Sequence, residues 1–423
     1  MKNTASKLAI DGGKPVRSKP LPPNFPGATM IGVAEKKAVM DVLEAKSPFR
    51  YYGQHLLKMT NQFELQFAKY MGSRYALAVT SGTAALRVAV EALGLGPGDE
   101  VIIPAITFVA SPNAVICGRA VPVFAEIDET LNLDPDDFER KITRRTKAVM
   151  PVPLVGVAPR MDRIKSIAKK HGILVLEDVA QSCGATFRGR HCGTFGDVGA
   201  FSLQLNKIIT AGEGGAVITN NPILYERAVR YHDQGQVRAV HQAILGKLRV
   251  KPFAGENYRM NEMSAAVAGV QLKKLPAILK KMRAARARIE SAVKGLRGVT
   301  IRPSHDRAGD AGNTFGMILE DAAVAKKFET AVMAEGIPMG TLYGGGTAYL
   351  NPQVRDKDVA SRVKCPYDCP YYKGKVEYYE GLCPKSEELA KRALIVGLPP
   401  VLTNQDIKDI IAAIRKVHAA YIA

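Results

Sequence analysis

GAFSLQLNKIITAGEGGAVIT, residues 199–219, reads as two short apolar strands, GAFSL and GAVIT, joined by a stretch that carries Lys207 and then a glycine-rich turn with Glu213. An amine held between two buried strand ends is partly desolvated, and desolvation lowers a lysine pKa from its ordinary value of about 10.4. An unprotonated lysine forms Schiff bases with carbonyls, the aldehyde of pyridoxal phosphate among them. A lysine reaching solvent from a loop is the commoner arrangement, so the chemical reading depends on what stands around it.

From about residue 75 to 220, strand-like runs alternate with helical patterns: AALRVAVEAL, EVIIPA, SPNAVICG, VPVFAEID, KAVMPVPL, MDRIKSIAKKHG and ILVLEDV. This alternation predicts an α/β fold, a mainly parallel sheet wrapped by helices. Ligands of such sheets sit beyond the carboxyl ends of the strands, so polar residues that close apolar runs are the candidates.

A cofactor with a pyridine ring and a phosphate needs a carboxylate for the ring nitrogen, donors for the phosphate and a flat partner for the ring. Asp178 closes ILVLED and offers the carboxylate, with Gln181 expected one helical turn beyond; aspartate at that position serves equally often as a helix N-cap. TSGTAAL (80–86) joins a strand to a helix, so the N–H groups of Gly82 and Thr83 would face an anion, although the same pattern opens many ordinary helices. Ser202 can add a hydroxyl. Phe108, in PAITFVAS, can stack on a ring or sit in the core.

EDVAQ (177–181), GDVGAFSLQLNK (196–207), TAGEGG (210–215) and GENYRMNEMSAAVAGVQL (255–272), in this order and spacing, resemble the DegT/StrS family of pyridoxal-phosphate sugar aminotransferases of fold type I. The resemblance runs from LAIDGGKPVR (8–17) to the final helix. It implies Lys207 as the Schiff-base lysine and proton shuttle, Asp178 as partner of the pyridine nitrogen and Gln181 beside the ring hydroxyl. It implies further that Gly82, Thr83 and Ser202 bind the phosphate, that Phe108 stacks on the ring, and that Asn257 reaches the phosphate in a neighbouring subunit of a homodimer. The family's dehydratase branch has histidine in place of this lysine, so Lys207 argues for amino transfer. One departure is PVPLVGVAP (151–159), apolar at Pro153, Leu154 and Val155 where many relatives carry a histidine and an aromatic or small residue.

The resemblance implies glutamate or glutamine as amino donor and a keto sugar as acceptor. The leader LAIDGGKPVR and FRYYG (49–53) look like branches acting on cyclitol ketones, free or phosphorylated sugars or keto-octulosonates, with nucleotide-linked keto-hexoses as the alternative. Tyr52, His232, Arg259 and Tyr343 are candidate pocket residues, each with a surface or core reading beside it. A regulatory protein that binds pyridoxal phosphate and uses a basic surface on nucleic acid is a reading of another class; no appended helix-turn-helix pattern supports it.

Composition sets the outer limits. The 423 residues are 47% hydrophobic, enough for a large core in two or three domains, expected as an N-terminal segment 1–60 packing on both domains, a large domain 61–275 and a connecting helix with a small α+β domain 276–423. The formal net charge is +19. Its densest basic run, 272–298, places Leu272, Leu275, Leu279, Met282, Ile289, Val293 and Leu296 at helical spacing, which predicts an amphipathic helix with a wet basic face rather than a nucleic-acid site. No run approaches the roughly 20 apolar residues of a membrane span, and MKNTASKLAI lacks a signal-peptide core, so a cytoplasmic enzyme with reduced cysteines is expected. Cys365, Cys369 and Cys383 match no common zinc spacing, and no metal is expected. Thr403 followed by Asp406 resembles a capping box for the last helix.

Overall fold

The structure is a computed structural model and describes residues 7–360 and 362–422. Its centre is a seven-stranded sheet formed by β1 (Tyr75–Val79), β2 (Glu100–Pro104), β3 (Val121–Ala125), β4 (Thr146–Val149), β5 (Leu174–Asp178), β6 (Val198–Ser202) and β7 (Gly215–Thr219), in the order β1-β7-β6-β5-β4-β2-β3. Strands β6, β5, β4, β2 and β3 pair in parallel, while β7 runs antiparallel to both β1 and β6. Six strands therefore point one way and β7 alone runs back.

That single reversal positions the site. A connection between two parallel strands must cross from one edge of the sheet to the other, whereas an antiparallel one returns on the same edge. The segment 203–214 between β6 and β7 therefore stays at the carboxyl edge, beside the ends of β1, β2 and β5. The start of β7 is wedged against its neighbours: a Cβ on Gly215 would lie 2.3 Å from the Ser81 carbonyl oxygen and 2.8 Å from that of Phe201. Only glycine permits this approach.

Both faces of the sheet are covered, which is why its strands read as unbroken apolar runs rather than alternating ones. The helices Met59–Met71, Met161–His171 and Glu262–Val293 pack on one face through Phe63, Phe67, Ile164, Leu272 and Leu275. The helices Gly82–Ala92, Ala110–Cys117 and Pro222–His232 cover the other through Leu86, Val88, Val115, Tyr225 and Val229. Each such side chain contributes about 1.5–3 kcal/mol by leaving water. Tyr372 and Tyr378, from the irregular stretch before the helix Pro384–Arg392, shield the β2–β3 edge by donating to Glu100 Oε1 and the Pro122 carbonyl.

A second sheet is antiparallel throughout, with β8 (Val299–Ile301), β9 (Thr314–Leu319), β10 (Met339–Thr341) and β11 (Ala393–Gly397) in the order β8-β9-β11-β10. The helices Ala322–Ala334 and Asn404–Tyr421 cover it with Phe328, Ile410 and Ile414. The expected capping box is present: Thr403 Oγ1 accepts from the Asp406 N–H, and the Asp406 carboxylate accepts from the Thr403 N–H at 2.7 Å.

The basic run belongs to the 32-residue helix Glu262–Val293, about 48 Å long, capped by Asn261 Oδ1 and longer at its N-terminus than the sequence pattern indicates. Its expected apolar positions from Leu272 to Val293 are buried, while Leu296 lies beyond the helix end. Arg286 departs from the wet-face pattern and is buried in a 3.0 Å ion pair with Asp310. The N-terminal segment touches both sheets' units. Arg17 pairs with Asp406 and Asp409, Lys274 pairs with Glu35, and the Gly27 N–H donates to the Lys207 carbonyl at 3.1 Å. Among the described residues no helix is long and apolar enough to cross a membrane.

Candidate active site

A cavity of about 540 Å³ opens at the carboxyl edge of the seven-stranded sheet. Lys207, Asp178, Gln181, Gly82, Thr83, Ser202 and Phe108 all line it, together with Tyr343. The loop that carries Lys207 is braced at its backbone, its N–H donating to the Gln204 carbonyl and its own carbonyl accepting from Gly27. Burial holds the Lys207 amine below the usual lysine range, and the carboxylates of Asp178 and Glu213 oppose that shift without reversing it.

Asp178 ends β5 and is only 4% exposed. Its Oδ2 accepts from Ser111 Oγ at 2.7 Å, Ser111 shares a 2.8 Å hydrogen bond with Thr107, and Oδ1 accepts from the Ala180 N–H at 3.1 Å. Burial pushes the carboxyl pKa up, while Ser111, the Ala180 N–H and Lys207 pull it down. A cationic ring nitrogen placed here would relieve the desolvation that an isolated carboxylate suffers. No helix follows Asp178: residues 179–184 form turns, so the N-cap alternative is removed, and Gln181 lies on a turn rather than one helical turn on. Ser111 and Thr107 carry no sequence signal as orienting groups, because Ser111 reaches Asp178 from a helix 67 residues earlier in the chain.

Thr83 and Gly82 sit in the first turn of the helix Gly82–Ala92, whose N-cap Ser81 accepts from the Ala84 N–H. A Cβ on Gly82 would stand 2.5 Å from Ser202 Cβ and 2.8 Å from its Oγ. The helix start and the Ser202 hydroxyl thus meet at van der Waals distance, forming a compact anion cradle. We expect Gly82→Val to force them apart and weaken retention of a phosphate-bearing cofactor by at least about tenfold, since hydrogen bonds to a charged group are each worth about 1.5–3 kcal/mol. Equilibrium dialysis, with circular dichroism to establish folding, measures this.

Phe108 is 54% exposed, so it belongs to the cavity wall and not to the core. Tyr343 arrives from the loop after β10, its ring centre 6.4 Å from that of Phe108, and its hydroxyl accepts from Gln181 Nε2 at 3.0 Å. Burial raises the Tyr343 phenol to about 12, keeping it neutral. Tyr343 has φ +51°, in the left-handed region that non-glycine residues occupy at a cost of about 1–3 kcal/mol. Val155, from the apolar departure 153–155, lines the same cavity with φ +40°.

The other sequence candidates lie elsewhere in this chain. His232, expected in the pocket, is fully buried in a polar network, with Nε2 3.2 Å from the Tyr51 hydroxyl and Nδ1 against the Val229 carbonyl. The same Tyr51 hydroxyl is 3.2 Å from His241 Nε2. Helical periodicity puts His232 at the end of an apolar stripe, and burial follows. Arg259 is locked to Asp233 at 2.5 Å, and Tyr52 is exposed beside Phe49. Asn257 is exposed outside the cavity, next to Asp233. Asn24, Gln204, Asn206 and Asn313 also line the cavity, and sequence reasoning misses them because amides have no distinctive local signal.

Burial lowers the His232 pKa to about 3 from its ordinary 6.5. Between those values the unfolded chain takes up a proton that the folded chain refuses, so stability is full above pH 6.5 and falls as pH drops toward 3. Urea midpoints across this range should decline on acidification, and His232→Gln should flatten the slope by close to one proton.

The geometry agrees with comparisons to known proteins. A family model described as the DegT/DnrJ/EryC1/StrS aminotransferase family matches residues 31–415. The L-glutamine:2-deoxy-scyllo-inosose aminotransferase of Streptomyces kanamyceticus is 34% identical over 99% of both chains. Among solved structures, an aminotransferase from Psychrobacter cryohalolentis superposes with a TM-score of 0.79 at 29% identity, covering 96% of this chain and all of that one. The Escherichia coli GDP-4-keto-6-deoxy-D-mannose-3-dehydratase with bound hydrated PLP superposes with a TM-score of 0.76 at 26% identity, covering 92% of this chain and 98% of that one. The chain belongs to the DegT/DnrJ/EryC1/StrS aminotransferase family, and it is an aminotransferase acting in sugar metabolism.

Proposed function

We propose that the chain binds pyridoxal 5'-phosphate through Lys207 and moves an amino group from glutamate or glutamine to the ketone of a sugar or cyclitol, working as a homodimer with shared sites. The observation that carries this reading is the approach of one depressed-pKa lysine and one buried, hydrogen-bonded carboxylate in a single cavity, beside a helix start tight enough for a phosphate. The residues fit the group: Gly82, Thr83 and Ser202 would hold its phosphate, Asp178 its ring nitrogen, Gln181 its ring hydroxyl, and Phe108 its face. When bound, it supplies an electron-withdrawing ring that acidifies the carbon bearing the transferred amine.

The protein's own groups do the rest. Lys207 Nζ would be the attachment point and, when free, the base that takes a proton and later returns it at the neighbouring carbon. Burial moves its pKa down from the ordinary lysine range, the direction that favours its use as a base. Asp178, oriented by Ser111, would keep the ring nitrogen protonated. Asn257 would complete the phosphate site of the partner subunit. The inosose aminotransferase relative supports both the donor and a ring-ketone acceptor.

The test is a pair of half-reactions followed through the absorbance of the bound cofactor. Glutamine or glutamate should shift the band and release a keto acid, and a keto sugar or cyclitol ketone should restore it with formation of an amine detectable by mass. An inert spectrum, with salt-sensitive retention on DNA, would favour the regulatory alternative instead.

A further inference from the structure

The loop 153–156 after β4 is the apolar departure seen in the sequence, and it supplies Val155 to the cavity wall. Val155 holds φ +40° and ψ +48°, a left-handed conformation that a β-branched residue adopts only where its surroundings impose it. Those surroundings come largely from the second sheet's unit. Arg302 Nη2 donates to the Leu154 carbonyl at 3.0 Å, Thr314 Oγ1 to the Val155 carbonyl at 3.0 Å, and the Ala311 N–H to the Gly156 carbonyl at 2.8 Å. The peptides on both sides of the Val155 Cα are thus gripped by that unit. From the large sheet's side, Asn132 Oδ1 accepts from the Leu154 N–H and Ser182 Oγ from the Gly156 N–H, both at 2.9 Å.

Arg302 is the unusual member of this set. It follows β8, where its own N–H donates to the Gly316 carbonyl at 2.9 Å, and it is only 3% exposed. Its Nε and Nη2 converge on the Thr130 carbonyl at 2.9 and 2.6 Å, so one planar fork ties the turn after β3 to the loop after β4. Among the described residues no carboxylate pairs with it: Asp310 is held by Arg286 and Arg307, and Asp128 by His305. Burial pulls its pKa down to about 10, and Nη1 has no hydrogen-bond partner among the described residues. A buried cation whose partners are only carbonyls is a poor source of stability. What its fork supplies is position. We infer that Arg302 is a positioning residue for substrate binding: by holding the Leu154 carbonyl it fixes Val155 in the cavity wall, although the guanidinium does not itself line the cavity. This role rests on the aminotransferase reading of that cavity, and it holds whatever a partner subunit adds at the mouth.

The experiment follows the donor half-reaction of the cofactor-loaded protein through the bound-cofactor absorbance, with glutamine and, separately, glutamate as the probe. Arg302→Met keeps most of the volume and removes the fork; it should raise the half-saturating donor concentration at least about fivefold while the limiting rate changes by less than about twofold. The cofactor band should stay as in the wild type. Val155→Gly, which deletes the wall and relaxes the backbone, should raise the same constant by about tenfold or more. The double variant decides between acting through Val155 and acting elsewhere: it should match Val155→Gly alone within about twofold, whereas independent effects would multiply. Arg302→Lys keeps the charge but cannot donate in a fork, so it should lie between wild type and Arg302→Met, and it carries the same comparison if the methionine variant does not fold. Multiplying effects, an unmoved constant in either single variant, or a parallel loss of cofactor and rate, as a merely structural arginine would give, would each overturn the role. If neither donor changes the band of the unsubstituted protein, the aminotransferase reading itself falls instead.

Discussion

Replacing Lys207 by alanine should leave a folded protein that gives no covalent cofactor adduct after borohydride reduction and turns over at least about 10⁴-fold more slowly, because in the proposed reading one side chain would serve as both attachment point and proton carrier. The expectation follows from position rather than residue type alone. The amine is depressed by burial, faces two carboxylates and sits on a loop braced by Gly27, and no other lysine lines the described cavity to take its place. The cradle at Gly82, Thr83 and Ser202 does not involve Lys207, and some cofactor should still bind, without the covalent link. Peptide mass mapping of the reduced wild type should find the adduct at Lys207. An adduct at another residue, or undiminished turnover in the variant, would end the assignment.

Asp178→Asn should retain cofactor yet lose about 10²–10³ in kcat, the scale at which removal of a single well-placed electrostatic partner is felt. Asparagine matches aspartate in size; its Oδ1 can still accept from the Ala180 N–H while its Nδ2 donates to Ser111 Oγ, whose own proton can turn to Thr107, so packing around β5 is preserved. What disappears is the negative charge that, in the proposed reading, would keep the ring nitrogen protonated. The split between kcat and cofactor content is the informative readout: a merely structural aspartate would lose both together. Full kcat in the variant would mean that another group protonates the ring.

Much of this site is legible in the amino-acid sequence. The strands ending at Asp178 and Ser202, the helix start at Gly82 and the lysine between two buried runs carry local signals: apolar runs for burial on two faces, and small polar residues where a strand gives way to a turn. The cofactor candidates Lys207, Asp178, Gln181, Gly82, Thr83, Ser202 and Phe108 share one cavity because strand ends in a mainly parallel sheet share an edge. That other candidates lie outside this chain's cavity has physical causes too. His232 is a polar residue on an apolar helix face, and nothing in its local pattern distinguishes a buried network from a pocket wall. Arg259 reads as available because its partner Asp233 lies 26 residues away.

Local sequence determined the elements, the candidate lysine and its candidate carboxylate, and the kind of sheet, since side-chain periodicity records which faces leave water. Tertiary structure decided two further things. The insertion of β7 against the grain, between β1 and β6, keeps Lys207 on the same edge as Asp178. Ser111 and Tyr343, from distant segments, orient Asp178 and close the cavity. Each of these depends on pairing and packing between residues far apart in sequence, where no periodicity reaches.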